Sequence, residues 1–225
     1  MLTAWTAEPL LSGPGAGGYM LVAGAGEVPV LLDFFVAAPG YGADPADRAP
    51  LLAVDVSFGD AHQLFHVGAA SCGVYGNPAG IDAAMRRWGS LPLSDLAAPA
   101  AELARTGVPL GAEQAYVVDI LGAILLSTPE SAAVFAPGGQ LLRAGDPFRS
   151  PELGDTIERL GAEGSEPFYT GEVADAVVAW VAAGGGSLTH DDLAEYAAQA
   201  RDPVRVRYRG RDVLTNPPPS ATSPV

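Results

Sequence analysis

The stretch SGPGAGGYMLV, residues 12–22, decides how the N-terminal third of the chain folds. Gly13, Gly15 and Gly18 have the G-x-G-x-x-G spacing of dinucleotide-binding loops. Such a loop leaves a strand and begins a helix, whose N-terminal N–H groups bind the pyrophosphate. Here the glycines precede the apolar run at 19–22, which is typical of a buried strand. The order favours a glycine-rich lead-in to a core strand over a nucleotide site, because glycine lets the backbone pass close to its neighbours.

Strand-like segments continue to about residue 76, and helical patterns dominate after it. Three apolar runs separated by glycine and proline predict strands: YMLVA (19–23), VPVLLDFF (28–35) and QLFHVGAASC (63–72). The sequence therefore predicts an α+β fold in a single incomplete domain. Its parts are a core-strand segment (1–76), a mainly helical lobe (77–200), and a strand pair with a P-P-P-S turn (201–225).

The predicted helices have start and stop signals. Capping residues predict five starts: Asn77-Pro78, Ser94, Ser150-Pro151, Thr170, and Thr189 with Asp192. Glycines predict four ends: Gly89, Gly107, Gly161 and Gly184. After the helices, VRVRY at 204–208 alternates apolar residues with arginine, which predicts a half-buried strand before a turn at Gly210.

Composition excludes several classes of function. The 225 residues carry a net charge of −14, and all twelve basic residues are arginine. Nucleic acid and anionic membranes are therefore poor partners, and lysine-based catalysis is excluded within this chain. Cys72 is the single cysteine, so no intrachain disulfide forms, and its surroundings predict an inert thiol in a tight strand. The sequence shows no signal peptide and no transmembrane run, which predicts a cytoplasmic protein.

Few residues suggest catalysis or metal binding. His62 and His66 have the i, i+4 spacing of zinc ligands on a helix, but Gln63 stands where the general-base glutamate belongs, and the segment resembles a strand. His190 lies at a helix start beside acidic residues, which predicts a solvated side chain. Asp33 has no evident proton partner. We predict no metal site, and local sequence shows no catalytic nucleophile.

Four longer segments carry a family resemblance in a fixed order. They are EPLLSGPGAGGYMLV (8–22), the helix-loop-helix block from GNPAGIDAAM to TGVPL (76–110), the block from FAPGGQLL to LAEY (135–196), and YRGRDVLTNPPPS (208–220). Together they resemble the large-subunit region of the gamma-glutamyltransferase family, also called gamma-glutamyltranspeptidases or glutathione hydrolases. The resemblance covers nearly the whole chain, from about Ala4 to Ser220. It assigns the glycines to a fold element, so no nucleotide is implied.

The resemblance implies part of an Ntn-hydrolase αββα sandwich. Members of this family are made as one precursor that cleaves itself into a large and a small subunit, and the exposed threonine of the small subunit is the nucleophile. The resemblance therefore implies acyl transfer from, or hydrolysis of, a small-molecule amide without metal or organic cofactor. The expected partner is the small-subunit region with that threonine. This chain is expected to be truncated at both ends, to contain no catalytic residue, and to be inactive by itself.

Phe35 departs from the family pattern. In the run LDFFVAAP it occupies the position of an arginine that, in typical members, binds the α-carboxylate of the glutamyl group. A guanidinium binds a carboxylate through two parallel hydrogen bonds, and a phenyl ring has no donor. Phe35 is thus the candidate substrate-binding residue. The alternatives left open are a cephalosporin-acylase-like amidohydrolase with another substrate, and a degenerate, non-catalytic scaffold.

Overall fold

The protein is described by a computed structural model that covers residues 1–24, 28–40 and 49–217. The strands of this part are β1 (Gly18–Val22), β2 (Val30–Phe34), β3 (Leu52–Ser57), β4 (His62–Val67), β5 (Val108–Pro109), β6 (Pro147–Phe148), β7 (Gln199–Arg201), β8 (Val204–Tyr208) and β9 (Arg211–Thr215). The helices are α1 (Ala4–Ala7), α2 (Asn77–Trp88), α3 (Leu93–Thr106), α4 (Ala112–Ile120), α5 (Gly122–Leu125), α6 (Pro129–Phe135), α7 (Pro151–Glu163), α8 (Glu166–Tyr169), α9 (Glu172–Ala183) and α10 (His190–Ala194). The predicted P-P-P-S turn begins at Pro217, and its other residues lie outside the described ranges.

A three-stranded antiparallel sheet of order β1-β2-β7 organises the N-terminal region. Tyr19 pairs with Asp33, and Asp33 pairs with Gln199, so these three residues lie side by side across the sheet. The other strands form three two-stranded pairs, β3-β4, β5-β6 and β8-β9. The mixture of helices and strands confirms the predicted α+β class.

Phe34, the last residue of β2, and Phe35, which follows it, project from opposite faces of this sheet. Phe34 is 1% exposed, and Phe35 is 44% exposed. Phe34 packs against α2 at Gly80, where an added Cβ would lie 2.5 and 2.6 Å from the ring atoms Cδ1 and Cδ2. This alternation follows from the period-two geometry of a strand. Helix α2 therefore covers one face of the sheet, and Phe35 lies on the other.

Two of the predicted helix starts are confirmed by their capping bonds. The Ser150 hydroxyl accepts a hydrogen bond from the Leu153 N–H at the start of α7. Thr189 and Asp192 form a reciprocal capping box at the start of α10, in which each side chain accepts from the backbone N–H of the other. These short-range bonds depend on local sequence alone, which is why the sequence predicts them.

Four predicted helix boundaries are wrong. Ser94 lies inside α3, which begins at Leu93 after Pro92 at the cap position. Contacts made by the residue itself explain the other three. Asn77 is the first residue of α2 and not its cap, because its side-chain amide donates to the Gly13 carbonyl oxygen at 2.6 Å. Thr170 does not cap α9, since its hydroxyl donates back to the Glu166 carbonyl and Gly171 takes the cap position. Gly161 does not end α7. Its Cα lies against Ala97 of α3, and the helix continues to Glu163.

Several elements of the structure were not predicted from the sequence. Strand β3 pairs with β4 over its whole length, yet its sequence was not predicted as a strand. Helices α4 and α5 contribute buried residues to a second core cluster that includes Phe148 of β6, and α6 packs against it through partly buried side chains. Cys72 was predicted in a strand, but it follows a 3-10 turn at Ala69–Ser71 and is only half-buried. Burial raises the pKa of its thiol, which is consistent with the predicted inert group.

Candidate substrate pocket

The sheet face that carries Phe35 forms the floor of a pocket of about 460 Å³. Directly paired residues of an antiparallel sheet project from the same face, which brings Tyr19, Asp33 and Gln199 together there. Glu195 and Tyr196, which directly follow helix α10, form a wall of the pocket. The pocket thus joins the N-terminal strands to a segment more than 150 residues away in the chain.

Phe35 is exposed, yet its backbone and ring are held in place. Its N–H donates to Asp33 Oδ1 at 3.0 Å, and its carbonyl oxygen accepts from the Tyr196 hydroxyl at 2.7 Å. Its ring stacks on Tyr19, with centroids 5.4 Å apart and ring planes at 16°. An exposed aromatic side chain with three such restraints presents a fixed surface to the pocket.

Asp33 links this aromatic pair to the charge of the pocket. Its Oδ2 atom lies 2.7 Å from Nε of Arg201, while its Oδ1 atom accepts from the Phe35 N–H. The Asp33 side chain is 14% exposed and that of Arg201 is 53% exposed. No partner for Asp33 was evident from the sequence, because Arg201 reaches it only through the pairing of β2 with β7.

A cluster of three tyrosines supports the pocket wall from below. Tyr196 stacks on Tyr169 with ring planes at 5°, and Tyr169 packs against Tyr75. The Tyr169 hydroxyl donates to the Tyr75 carbonyl at 3.0 Å and accepts from the Ala79 N–H at 3.2 Å. Burial raises the pKa of Tyr75 and of Tyr196 to about 12, and it also raises the pKa of Tyr169. The neutral hydroxyl is therefore the form that the fold stabilises.

The histidines do not form a metal site in the described ranges. His62 and His66 lie on strand β4, as their surroundings predict, and His62 Nδ1 lies 3.2 Å from Asp55. Across residues 1–24, 28–40 and 49–217, no three His, Cys, Asp or Glu side chains are grouped as metal ligands would be. His190 contacts Asp175 at 2.9 Å, with both side chains largely exposed.

A larger groove, of about 730 Å³, lies against helix α9 and has mainly apolar walls. These walls include Val173, Val177 and Trp180 on the helix and Cys72 opposite. Its charged residues, Arg159 and Glu172, are 3.1 Å apart and form an ion pair with each other. The Phe35 pocket, with its converging polar groups, is therefore the better candidate for chemistry.

The glycine-rich loop serves the fold. The Ala16 carbonyl accepts the N–H groups of both Gly76 and Asn77, so the loop offers carbonyl oxygens to the start of α2. A phosphate-binding loop instead presents N–H groups to the ligand. At Gly17 an added Cβ would lie 2.6 Å from the Val36 N atom, so the close approach of β1 to the end of β2 requires glycine.

Known proteins share this combination of sheet, helices and loop. The model of the family described as Gamma-glutamyltranspeptidase matches residues 1–223. The chain belongs to the gamma-glutamyltranspeptidase family. It is 31% identical to Glutathione hydrolase 3 of Arabidopsis thaliana, over 95% of this chain and 32% of that protein. It is also 31% identical to the Acylase ACY 1 proenzyme of Pseudomonas sp. (strain V22), over 96% of this chain and 39% of that protein.

The fold agrees with that of solved gamma-glutamyltranspeptidases. The structure described as gamma-glutamyltranspeptidase from Pseudomonas nitroreducens complexed with L-DON superposes with a TM-score of 0.80 at 31% identity. The match covers 97% of this chain and 62% of that one. The α+β fold is therefore of the Ntn-hydrolase type, as the resemblance implies. The chain spans about a third of the length of the curated gamma-glutamyltranspeptidase relatives that it matches.

The substrate-binding role of Phe35 stays a prediction, as do the domain limits and the cytoplasmic location. Among the described helices, none has the length and apolar character needed to cross a bilayer. Sequence analysis missed Tyr19, Tyr196 and Arg201, which meet Phe35 and Asp33 only in the folded chain. Tyr19 was the one with a local signal, since it follows the glycine loop in the predicted first strand.

Proposed function

We propose that this chain forms the acyl-binding part of an amidase or acyltransferase of the gamma-glutamyltranspeptidase family. The nucleophile is a threonine of the small-subunit region, which the chain requires as a partner. Its hydroxyl attacks the amide carbonyl, the amine leaves with a proton, and the threonine ester passes its acyl group to water or to an acceptor amine. No metal or organic cofactor takes part. Membership of the family and the pocket around Phe35 support this proposal.

The fixed, exposed ring of Phe35 indicates which substrates the pocket disfavours. At the position where typical members hold an arginine, this chain fixes a phenyl ring at the pocket surface by bonds to Asp33 and Tyr196. The ring has no hydrogen-bond donor for a substrate carboxylate. We therefore propose that glutathione and other γ-glutamyl amides are poor donors.

Replacing Phe35 in the whole protein tests the pocket directly. Phe35→Arg is expected to raise kcat/KM for glutathione by about 10- to 100-fold, because hydrogen bonds to a charged group contribute about 1.5–3 kcal/mol. The position is 44% exposed, so the guanidinium is not buried without a partner. Steady-state hydrolysis of glutathione measures the effect.

Phe35→Leu is the matched control, because it removes the ring without adding a donor. It should give no gain with glutathione. A folded Phe35→Arg variant with unchanged kcat/KM would contradict the pocket role of this residue. A wild-type protein that already hydrolyses glutathione as well as its arginine-containing relatives would contradict it too.

The 225-residue chain by itself is expected to show no turnover of γ-glutamyl-p-nitroanilide. In the proposed mechanism both the nucleophile and the oxyanion-hole donors belong to the small-subunit region, and their absence removes both bond formation and charge stabilisation. Release of p-nitroaniline is measured with the purified chain and with the chain joined to that region. Turnover by the purified chain alone would place catalysis within these residues and refute the division of roles.

An acylase acting on another amide is the second candidate function. Two observations favour this acylase function. The chain is 31% identical to the Acylase ACY 1 proenzyme, the same identity as to Glutathione hydrolase 3, and Phe35 replaces the arginine of typical members. A panel of acyl-p-nitroanilides distinguishes the two, since an acylase hydrolyses amides that lack the glutamyl group. Hydrolysis of none of them by the whole protein would instead indicate a non-catalytic scaffold.

A further inference from the structure

We propose that the Phe35 pocket takes an acyl group that carries an ammonium and no carboxylate. This inference rests on the proposed amidase function and adds the chemistry of the acyl group. It follows from three features of the pocket: the pairing of its arginine, the balance of its charges, and the aromatic surface of Phe35.

The pocket arginine is already paired. Arg201 Nε lies 2.7 Å from Asp33 Oδ2, and the Asp33 carboxylate is anchored by the Phe35 N–H as well. Binding a substrate carboxylate with Arg201 would require breaking this ion pair or placing two carboxylates on one guanidinium. A substrate carboxylate at the remaining nitrogens of Arg201 would meet a guanidinium whose charge Asp33 already balances, so the net attraction for an acidic acyl group is small.

The remaining charges of the pocket are negative. Three carboxylates line it, those of Asp33, Asp192 and Glu195, against the single guanidinium of Arg201 among the described residues. Glu195 forms no ion pair within the described part of the chain. At the Tyr19 hydroxyl, burial raises the pKa most, and Asp33 raises it by more than Arg201 lowers it. With three carboxylates against one guanidinium, the lining carries a net negative charge, which attracts a cation and repels a carboxylate.

The Phe35 ring gives an ammonium a second attraction. A cation within about 6 Å of an aromatic face is attracted by the negative charge of the π-system. Tyr19 stacks on Phe35, and the ring remains 44% exposed toward the pocket. Because Asp33 and Tyr196 hold the Phe35 backbone, little conformational entropy is lost when a ligand binds there. The negative charge of the pocket and the Phe35 ring therefore both favour an ammonium group.

Four p-nitroanilides that differ only in these groups test the proposal with the whole protein. γ-Glutamyl carries both charges, 4-aminobutyryl carries the ammonium alone, glutaryl carries the carboxylate alone, and butyryl carries neither. We expect the kcat/KM of the 4-aminobutyryl amide to exceed that of each of the others by about 10-fold. A preference for the glutaryl or γ-glutamyl amide overturns the proposal, and so does equal turnover of the 4-aminobutyryl and butyryl amides.

A carboxylate variant separates the pocket from the overall charge of the protein. Glu195→Gln is expected to lower the preference for 4-aminobutyryl over butyryl by about threefold, because Glu195 is exposed and its attraction is screened. Glu102→Gln removes an exposed carboxylate of α3, outside the pocket, and should leave the preference unchanged. Equal effects of the two substitutions would mean that net charge alone sets the preference.

Binding distinguishes failure of this inference from failure of the proposed function. If the protein hydrolyses none of the four anilides, the amidase proposal falls. Calorimetric titration with 4-aminobutyramide, glutaramate and butyramide still compares the ammonium, the carboxylate and the neutral chain. Tightest binding of 4-aminobutyramide, weakened by Phe35→Leu, supports the pocket chemistry, and any other order overturns it.

Discussion

Gly76→Ala is expected to destabilise the folded chain by about 3 kcal/mol or more. An added Cβ would lie 2.7 Å from the Phe34 carbonyl carbon and closer still to its oxygen, and it would also overlap the Tyr196 hydroxyl. The backbone angles at Gly76, φ −119° and ψ −20°, are open to alanine, so the cost is steric. Neither neighbour moves freely, because β2 is the central strand of its sheet and Tyr196 is bonded to Phe35.

Equilibrium unfolding in urea measures this loss, with Gly15→Ala as the control. At Gly15 an added Cβ meets no heavy atom within 4 Å, so that variant should stay within about 0.5 kcal/mol of the wild type. Gly80→Ala is also expected to destabilise the folded chain, because its Cβ would overlap the Phe34 ring. This steric cost is expected to exceed the gain from the better helix propensity of alanine. Wild-type stability of Gly76→Ala would refute this account of how α2 packs on β2.

The free energy of unfolding is expected to fall steeply as the pH rises from 10 to about 12. Burial raises the pKa values of Tyr75, Tyr169 and Tyr196 above the ordinary value of 10. In this range the unfolded chain has lost the phenolic protons that the folded chain still holds. Stability therefore decreases with pH, by about 1.4 kcal/mol per pH unit for each proton by which the two states differ. Below pH 10 both states keep these protons, and the contribution is constant.

Denaturant unfolding at several pH values between about 9 and 12 measures this slope. Replacing Tyr196 by phenylalanine removes one titrating group and should make the slope shallower, at the cost of the bond to the Phe35 carbonyl. Tyr116, which is 63% exposed, is the matched control, and Tyr116→Phe should leave the slope unchanged. A free energy of unfolding that is constant across this range would mean that the three hydroxyls ionise as easily in the folded chain as in water.

Much of the fold follows from local sequence. The apolar runs at β1, β2 and β4, the caps at Ser150 and Thr189, and the alternation that separates Phe34 from Phe35 are short-range features, and the structure confirms them. The four family segments likewise predicted the family and its Ntn-hydrolase fold, which the comparisons confirm. Such features depend on residues within a few positions of one another, so a linear sequence contains them in full.

The pocket, in contrast, was decided by tertiary structure. The sequence singled out Phe35, but the Tyr196 hydroxyl that holds it is 161 residues away, and Arg201 reaches Asp33 only because β7 pairs with β2. Strand β7 has three residues, too few to show an alternating pattern. Gly161 resembled a helix end because the sequence does not show its tertiary contact with Ala97. The sequence by itself thus determined the family, the fold class and the separation of Phe34 and Phe35 onto opposite faces of the strand. The partners of that residue and the charge of its pocket depended on chain segments that only folding brings together, since hydrogen bonds and ion pairs require atoms within a few ångströms.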